Sequence, residues 1–269
     1  MALPLGLQLY SLREAAAKDF PGVLAKVADM GYAGVEFAGL HNMKAADVAK
    51  IVADLGMKCV SAHMACPDKD NVNQLVDDAK ALGIGYIVTG GWIDHFKDYS
   101  SILSFAAKVE AGAELVAPYG LEVGIHNHWV EFDHLVDGKL PHAIFMSLTR
   151  KAFSQLDIYW AKFGGTNPAA YLATLAGRVP LLHVKDGTLE KSDKGTPCTP
   201  HTAVGAGKID TPAAVAAAEK AGTKWLLVEL DSCATDMEAA VRQSAEYLIG
   251  NGLAEGAECC GDEKCCCCS

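Results

Sequence analysis

The run Leu182–Asp186 (LHVKD) begins with an apolar residue on a strand-like stretch and ends in lysine and aspartate. Three further runs have the same character: Gly124–Phe132 (GIHNHWVEF), Leu156–Trp160 (LDIYW) and Leu227–Asp231 (LVELD). In a parallel barrel, strand ends that lie far apart in sequence meet on one rim, where their side chains surround a single point. The four runs therefore predict a barrel with a site at its rim.

Strand-like and helix-like runs alternate along the chain. The predicted strands are Leu5–Tyr10, Gly34–Phe37, Lys58–His63, Tyr86–Thr89, Glu122–His126, Ser154–Ile158, Leu181–Lys185 and Trp225–Leu230. The predicted helices are Phe20–Met30, Ala45–Leu55, Val72–Leu82, Leu103–Tyr119, Pro141–Leu148, Pro168–Ala176, Ala213–Ala221 and Ala234–Ile249. This alternation predicts an α/β fold, a single-domain (β/α)8 TIM barrel over residues 1–253. An open doubly wound sheet is disfavoured because no glycine-rich phosphate turn follows the first strand.

Composition narrows the classes of molecule that the protein is expected to bind. The chain has 269 residues, a formal net charge of -10 and a pI near 5.3. Nucleic-acid-binding proteins usually carry a basic stripe, which is missing here, so we expect no nucleic-acid partner. No apolar run approaches the roughly 18–20 residues that span a bilayer, and no signal-peptide pattern is present. We therefore expect a cytoplasmic protein without a membrane partner.

Two polar segments stand apart from this alternation. Gly187–Asp210 is long and rich in Gly, Pro, Lys and Thr, which predicts a loop on the rim of the barrel. Ala254–Ser269 (AEGAECCGDEKCCCCS) contains six of the ten cysteines and has no apolar periodicity, so we predict a disordered tail. Its role is open between binding of soft metals, lipidation and no function. The other cysteines are scattered, which is typical of reduced thiols.

Asp157, His183 and Glu229 are candidate ligands of one divalent metal ion: Mn²⁺, Mg²⁺, Co²⁺ or Zn²⁺. A carboxylate buried at the end of an apolar strand needs a compensating metal or cation. Each residue also has a structural alternative, such as a helix cap for Asp157. The remaining ligand is Glu131 or His126, and Glu131 is favoured because a third carboxylate balances the charge of a hard cation better.

Other residues at strand ends are candidate contacts of a sugar. They are Gln8, Glu36, His63, His126, His128 and Trp160. Gln8 and Glu36 fit a buried polar layer of the barrel equally well. Lys185 lies two residues after His183 and therefore on the same face of the strand.

The segments LGLQLYSLR, GYAGVEF, HNHWVEF, LDIYWA, GRVPLLHVKD, GAGKID and LLVELD resemble the xylose-isomerase-like TIM-barrel superfamily, and within it the sugar phosphate isomerase/epimerase group. The resemblance extends from about Leu5 to Ile249. It implies one metal at the rim, held by Glu, Asp, His and Glu, which correspond here to Glu131, Asp157, His183 and Glu229. Many members have Glu-Asn-His where this chain has His126-Asn127-His128, and relatives have a glutamate where Ala206 stands.

The resemblance also implies the chemistry. The metal would chelate a carbonyl and a hydroxyl of a sugar or keto-sugar, and Glu131 or Glu229 would remove the adjacent C–H proton. Lys185 or a histidine would help the metal to hold the enediolate. Return of the proton gives an isomerase or an epimerase, whereas loss of a β-substituent gives a keto-glycoside lyase or hydratase.

Two other classes share this fold. An endonuclease would need basic loops and more metal ligands, and a non-catalytic sugar-binding barrel would leave Lys185 without a purpose. A phosphate group on the substrate is disfavoured because the chain is acidic and lacks a glycine-rich cradle. The oligomeric state is open, although barrel enzymes of this type often form homo-oligomers.

Overall fold

A computed structural model describes residues 2–198 and 200–257. Its barrel strands are β1 Leu3–Gln8, β2 Gly34–Phe37, β3 Lys58–His63, β4 Tyr86–Gly90, β5 Glu122–His126, β6 Phe153–Asp157, β7 Leu181–Val184 and β8 Trp225–Val228. Neighbours in sequence pair in parallel, and β1 pairs with β8 in the register Leu5–Leu226 and Leu7–Val228. This last pairing closes the barrel, so the predicted (β/α)8 fold is confirmed.

Eight helices flank the strands: α1 Phe20–Asp29, α2 Ala45–Asp54, α3 Val72–Leu82, α4 Tyr99–Val116, α5 Pro141–Leu148, α6 Pro168–Leu172, α7 Thr211–Ala221 and α8 Met237–Gly250. The helical apolar spacing predicted for α1 is buried against the barrel at Val23, Leu24 and Val27. Gly83 and Gly222 end α3 and α7 in the left-handed conformation, with φ of 71° and 87°.

The remaining helical segments lie mostly at the rim. The α-helical ones are Arg13–Ala16, Ile93–Phe96 and Ile158–Phe163, and the 3-10 turns are Leu9–Leu12, Ala117–Tyr119, Trp129–Glu131 and Ala173–Leu175. They explain where strand ends differ from prediction. The first strand stops at Gln8, whose Oε1 accepts a hydrogen bond from the Tyr10 N–H at 3.0 Å and starts a turn. The sixth stops at Asp157, which caps the next helix.

The segment after β7 is a rim loop tied to the barrel, as predicted. Its strand Asp186–Gly187 pairs in antiparallel fashion with His201–Thr202. The buried Asp186 carboxylate accepts four backbone N–H groups: those of Gly187, Gly205, Gly207 and Ile209, at 2.8–3.1 Å. Both ends of the loop are therefore fastened to one side chain.

The C-terminal residues described by the structure pack on the outside of β1. Ala254–Glu255 pairs in parallel with Leu3 and Pro4, and the Ala257 N–H donates to the Gly31 carbonyl at 2.9 Å. The first four residues of the predicted tail are thus placed on the barrel. The six tail cysteines lie outside the described residues, so disorder there stays a prediction.

Two further observations concern the described residues. Cys59, Cys66, Cys198 and Cys233 are free thiols. Among the helices of residues 2–198 and 200–257, none combines the length and the apolar character that a bilayer crossing requires.

Candidate metal and substrate site

A cavity of about 600 Å³ opens at the carboxyl ends of the strands. Its walls include His63, His126, His128, Trp160, Glu229 and Asp231. Tyr10 and Trp92 stand at its edge and are 42% and 61% exposed. A second cavity of about 640 Å³ lies outside the strands, beside the first turns of α1 and α8, and lacks the converging histidines. The candidate site therefore lies at the first cavity.

Four side chains converge below this cavity. Ligand atoms of His126, Asp157, His183 and Glu229, which lie at or near the carboxyl ends of β5, β6, β7 and β8, lie within 4.8 Å of one another, and all four residues are buried. His126 Nδ1 is a buried atom without a hydrogen bond, and Asp157 Oδ2 has the Lys185 ammonium 3.0 Å away. Burial and the neighbouring His183 hold the pKa of His126 well below its usual range, so its imidazole is neutral, as a metal ligand must be. Two imidazoles and two carboxylates are ligand types that fit a divalent cation.

Glu131, the first ligand favoured from sequence, lies outside this group. It ends the 3-10 turn Trp129–Glu131, where its Oε2 accepts the His128 N–H at 3.0 Å. Its Oε1 is buried without a hydrogen bond. Burial raises the pKa of Glu131 well above its usual range, which favours the protonated carboxyl. The structure thus brings the alternative residue, His126, to the other three.

Lys185 sits among three carboxylates. Its Nζ lies 3.0 Å from Asp157 Oδ2, 2.8 Å from Glu229 Oε2 and 2.8 Å from Asp231 Oδ2. Burial lowers the pKa of Lys185, but the three carboxylates outweigh burial and raise it well above its usual value, so the amine is a cation. Asp231 was not singled out from sequence, although its spacing of two from Glu229 places both on one face.

Glu36 forms the floor of the site. Its carboxylate accepts hydrogen bonds from Gln8 Nε2 at 2.7 Å, Ser61 Oγ at 2.5 Å and Gln155 Nε2 at 2.6 Å. Gln8 and Glu36 are fully buried and belong to a polar layer beneath the cavity, one of the two roles considered from sequence. His63 connects this layer to the cavity, because its Nε2 lies 3.1 Å from Glu36 Oε1.

His183 joins the floor to the metal-ligand group. Its Nε2 lies 2.7 Å from Glu36 Oε1 and its Nδ1 lies 3.0 Å from Glu229 Oε2. Burial lowers the pKa of His183, but Glu229 and Glu36 together raise it to about 10. The ring is therefore an imidazolium that donates from both nitrogens, and a metal could bind Nδ1 only after that proton leaves.

The rim loop adds a residue that sequence reasoning missed. His201 Nδ1 accepts the Asp231 N–H at 3.1 Å, and the ring packs edge-on against Trp160 with centroids 5.2 Å apart. Trp160 also lies under Lys185, whose Nζ is 5.2 Å from the ring centroid. Burial, with help from Lys185, lowers the pKa values of His128 and His201 to about 4, so both rings are neutral. A loop without periodicity gave no sequence signal for His201.

Comparison with known proteins agrees with this architecture. The family model described as xylose isomerase-like TIM barrel matches residues 24–250. A search of curated proteins gives no match.

Three solved structures illustrate the shared fold. A sugar phosphate isomerase/epimerase from Parabacteroides distasonis is 23% identical with a TM-score of 0.75, over 92% of this chain and 94% of that chain. The IolI protein with a bound zinc atom is 16% identical with a TM-score of 0.71, over 92% and 97%. A probable 3-DHS dehydratase from Bacillus anthracis, involved in petrobactin synthesis, is 10% identical with a TM-score of 0.71, over 92% and 99%.

Proposed function

This chain belongs to the xylose isomerase-like TIM barrel family, and we propose that it is a divalent-metal-dependent isomerase or epimerase of a sugar or keto-sugar. The observation that carries the proposal is the convergence of His126, Asp157, His183 and Glu229 below an open cavity. A sugar phosphate isomerase/epimerase and a zinc-bound protein have the same fold, which supports both parts of the proposal.

We propose these four residues as the ligands of one ion, Mn²⁺, Mg²⁺, Co²⁺ or Zn²⁺. Two imidazoles favour Zn²⁺, Co²⁺ or Mn²⁺ over Mg²⁺, which prefers oxygen ligands. When bound, the ion would act as a Lewis acid on a substrate carbonyl and acidify the neighbouring C–H bond.

The protein's own groups would move the proton. Glu229 is the proposed base, because Lys185 and His183 outweigh burial, lower its pKa well below its usual range and keep it ionised. Lys185, a cation 2.8 Å from Glu229, would stabilise negative charge that develops on a substrate oxygen. Glu131 is the proposed acid that returns a proton, because burial raises its pKa well above its usual range and so favours the protonated carboxyl.

A neutral substrate fits the charges of the cavity. Glu229 and Asp231 line it and would repel a phosphate, whereas His63, His128 and Trp160 present ring edges, N–H groups and an aromatic face to a sugar. Four free thiols in the described residues are in keeping with the cytoplasm as the proposed compartment.

Deuterium exchange tests the proposal. The Mn²⁺-loaded protein is incubated with a panel of neutral ketoses, aldoses and keto-sugars in deuterated water, and label at the carbon beside the carbonyl is followed by NMR. We expect label from at least one sugar, a loss of about 100-fold or more in Glu229→Gln, and full activity in Glu219→Gln, an exposed carboxylate on α7. No label from any sugar with a fully loaded site would contradict the proposal.

A keto-glycoside lyase is the second candidate, because the cavity is open on the side of Tyr10 and Trp92 and would admit a substrate larger than one sugar. About 600 Å³ lies within the range of about 300–1,000 Å³ typical of larger ligands, and Tyr10 and Trp92 stand at its open mouth. A dehydratase shares the fold. Both reactions begin with the same proton removal, so release of the β-substituent, rather than label retained in an intact sugar, identifies the lyase.

A further inference from the structure

The Lys185 ammonium contacts two of the carboxylates that would bind the proposed metal. We propose that Lys185 is a built-in cation that competes with the divalent metal for Asp157 and Glu229, and that Asp231 retains the lysine when the metal binds. This inference rests on the proposed metal site and adds that Lys185 limits how tightly the site binds its ion.

The shared contacts carry the first step. Lys185 Nζ lies 3.0 Å from Asp157 Oδ2 and 2.8 Å from Glu229 Oε2, and both carboxylates belong to the four-residue ligand group. A transition metal binds carboxylate oxygen at about 2.0–2.2 Å. An ammonium and a metal ion on the same oxygens would therefore lie close together and repel each other.

Burial makes this repulsion strong. Lys185 and Asp157 are fully buried and Glu229 is 4% exposed, so water screens these charges poorly. An exposed lysine at the rim would have little effect on a metal, whereas this one cannot reach solvent from its present position.

The carboxylates around Lys185 outnumber it. Asp157, Glu229 and Asp231 surround the single ammonium, so these four side chains together carry an excess of negative charge. His183 lies between Glu36 and Glu229, with Nε2 2.7 Å from Glu36 Oε1 and Nδ1 3.0 Å from Glu229 Oε2. One divalent cation on Asp157 and Glu229 would offset this negative charge and leave Lys185 paired with Asp231.

Asp231 is positioned to keep the lysine. It lies 2.8 Å from Lys185 Nζ, lines the cavity and stands outside the ligand group. Its backbone is held on both sides, since its N–H donates to His201 Nδ1 and its carbonyl accepts from Arg13 Nη2 at 2.9 Å. Lys185 would thus keep a fixed partner when the metal occupies Asp157 and Glu229.

Mn²⁺ titration of the full chain tests the inference. Mn²⁺ is chosen because it is hard and binds the tail thiolates weakly. Free Mn²⁺ is followed by electron paramagnetic resonance for the metal-free wild type, Lys185→Met, Asp231→Asn and a control, Lys162→Met, whose lysine is exposed on the helix after β6. We expect Lys185→Met to bind about tenfold more tightly or better, Asp231→Asn to bind more weakly, and the control to match the wild type.

The outcomes separate this inference from the proposed function. Equal dissociation constants in the wild type and Lys185→Met would overturn the competition and leave the metal site intact. Binding by Lys185→Met alone would support the competition and argue against a metal enzyme. No binding in either would overturn both. If Lys185→Met does not fold without metal, Asp231→Asn decides: unchanged affinity overturns the inference, and weaker affinity supports it.

Discussion

At the scale of single residues, His142 shows how burial, with a nearby cation, sets a charge state. Its ring is fully buried behind β6, with Nδ1 2.9 Å from the Tyr171 hydroxyl and Nε2 3.1 Å from Ser154 Oγ. Burial, together with Arg178, lowers its pKa to about 3. The ring is therefore neutral in the folded protein at a pH where the unfolded chain already binds a proton.

This difference predicts an acid sensitivity with a definite sign. Between the unfolded pKa near 6.5 and the folded value near 3, the unfolded state binds one more proton, so stability falls as pH falls, by about 1.4 kcal/mol per pH unit. His142→Gln removes this contribution. His142→Gln lowers the free energy of unfolding relative to the wild type. Measured by urea unfolding, this difference should be smaller at pH 5 than at pH 6, by about 1.4 kcal/mol.

Tyr171→Phe provides the control, because it removes one hydrogen bond and leaves the ring buried. Its stability loss should be similar at both pH values. A His142→Gln penalty that does not change with pH would contradict the account of this residue.

Among single residues of the site, sequence reasoning identified those that end apolar strands, because an ionisable group there needs a partner. In the structure Asp157, His183, Glu229 and Lys185 lie together. The sequence favoured Glu131 over His126, because the apolar pattern does not reveal the 3-10 turn Trp129–Glu131, which uses Glu131 for a backbone hydrogen bond.

At the scale of elements, the rim loop depends on Asp186. One carboxylate accepts four backbone N–H groups from both ends of the loop. Asp186→Ala leaves those donors unpaired and should free the loop. Tryptic cleavage after Lys191 or Lys194, both exposed in the loop, should become about tenfold faster or more.

Asp193→Ala is the matched variant for this test, because Asp193 is exposed between the same two cleavage sites. Its cleavage rate should equal that of the wild type. If Asp186→Ala is cut no faster than Asp193→Ala, the loop is held by other contacts.

The order of the elements followed from hydrophobic periodicity, since a strand buried on both faces and an amphipathic helix leave different patterns. Several end points did not follow. The last helix was predicted from Ala234 but begins at Met237, because Asp236 caps it through the Ala239 N–H at 2.7 Å. Such caps depend on local side-chain hydrogen bonds, which a pattern of apolar residues does not reveal.

At the scale of the whole molecule, the barrel extends to Ala257. Ala254 is 5% exposed and pairs with Leu3, and the Ala257 N–H reaches Gly31. A chain that ends at Ala257 should have the unfolding free energy of the full chain, whereas one that ends at Leu253 should lose about 1–3 kcal/mol. Urea unfolding of the three chains checks this; equal stability of the two shorter chains would place the boundary at 253 instead.

The proposed function requires that one divalent ion binds where β5, β6, β7 and β8 end. Its most direct test is the Mn²⁺ stoichiometry of the full chain beside an Asp157→Ala/Glu229→Ala double variant, with Asp193→Ala/Glu219→Ala as the exposed control and circular dichroism to verify folding. We expect about one tightly bound Mn²⁺ per chain in the wild type and the control, and none in a folded double variant. No bound Mn²⁺ in the wild type, or the same amount in the double variant, would contradict it.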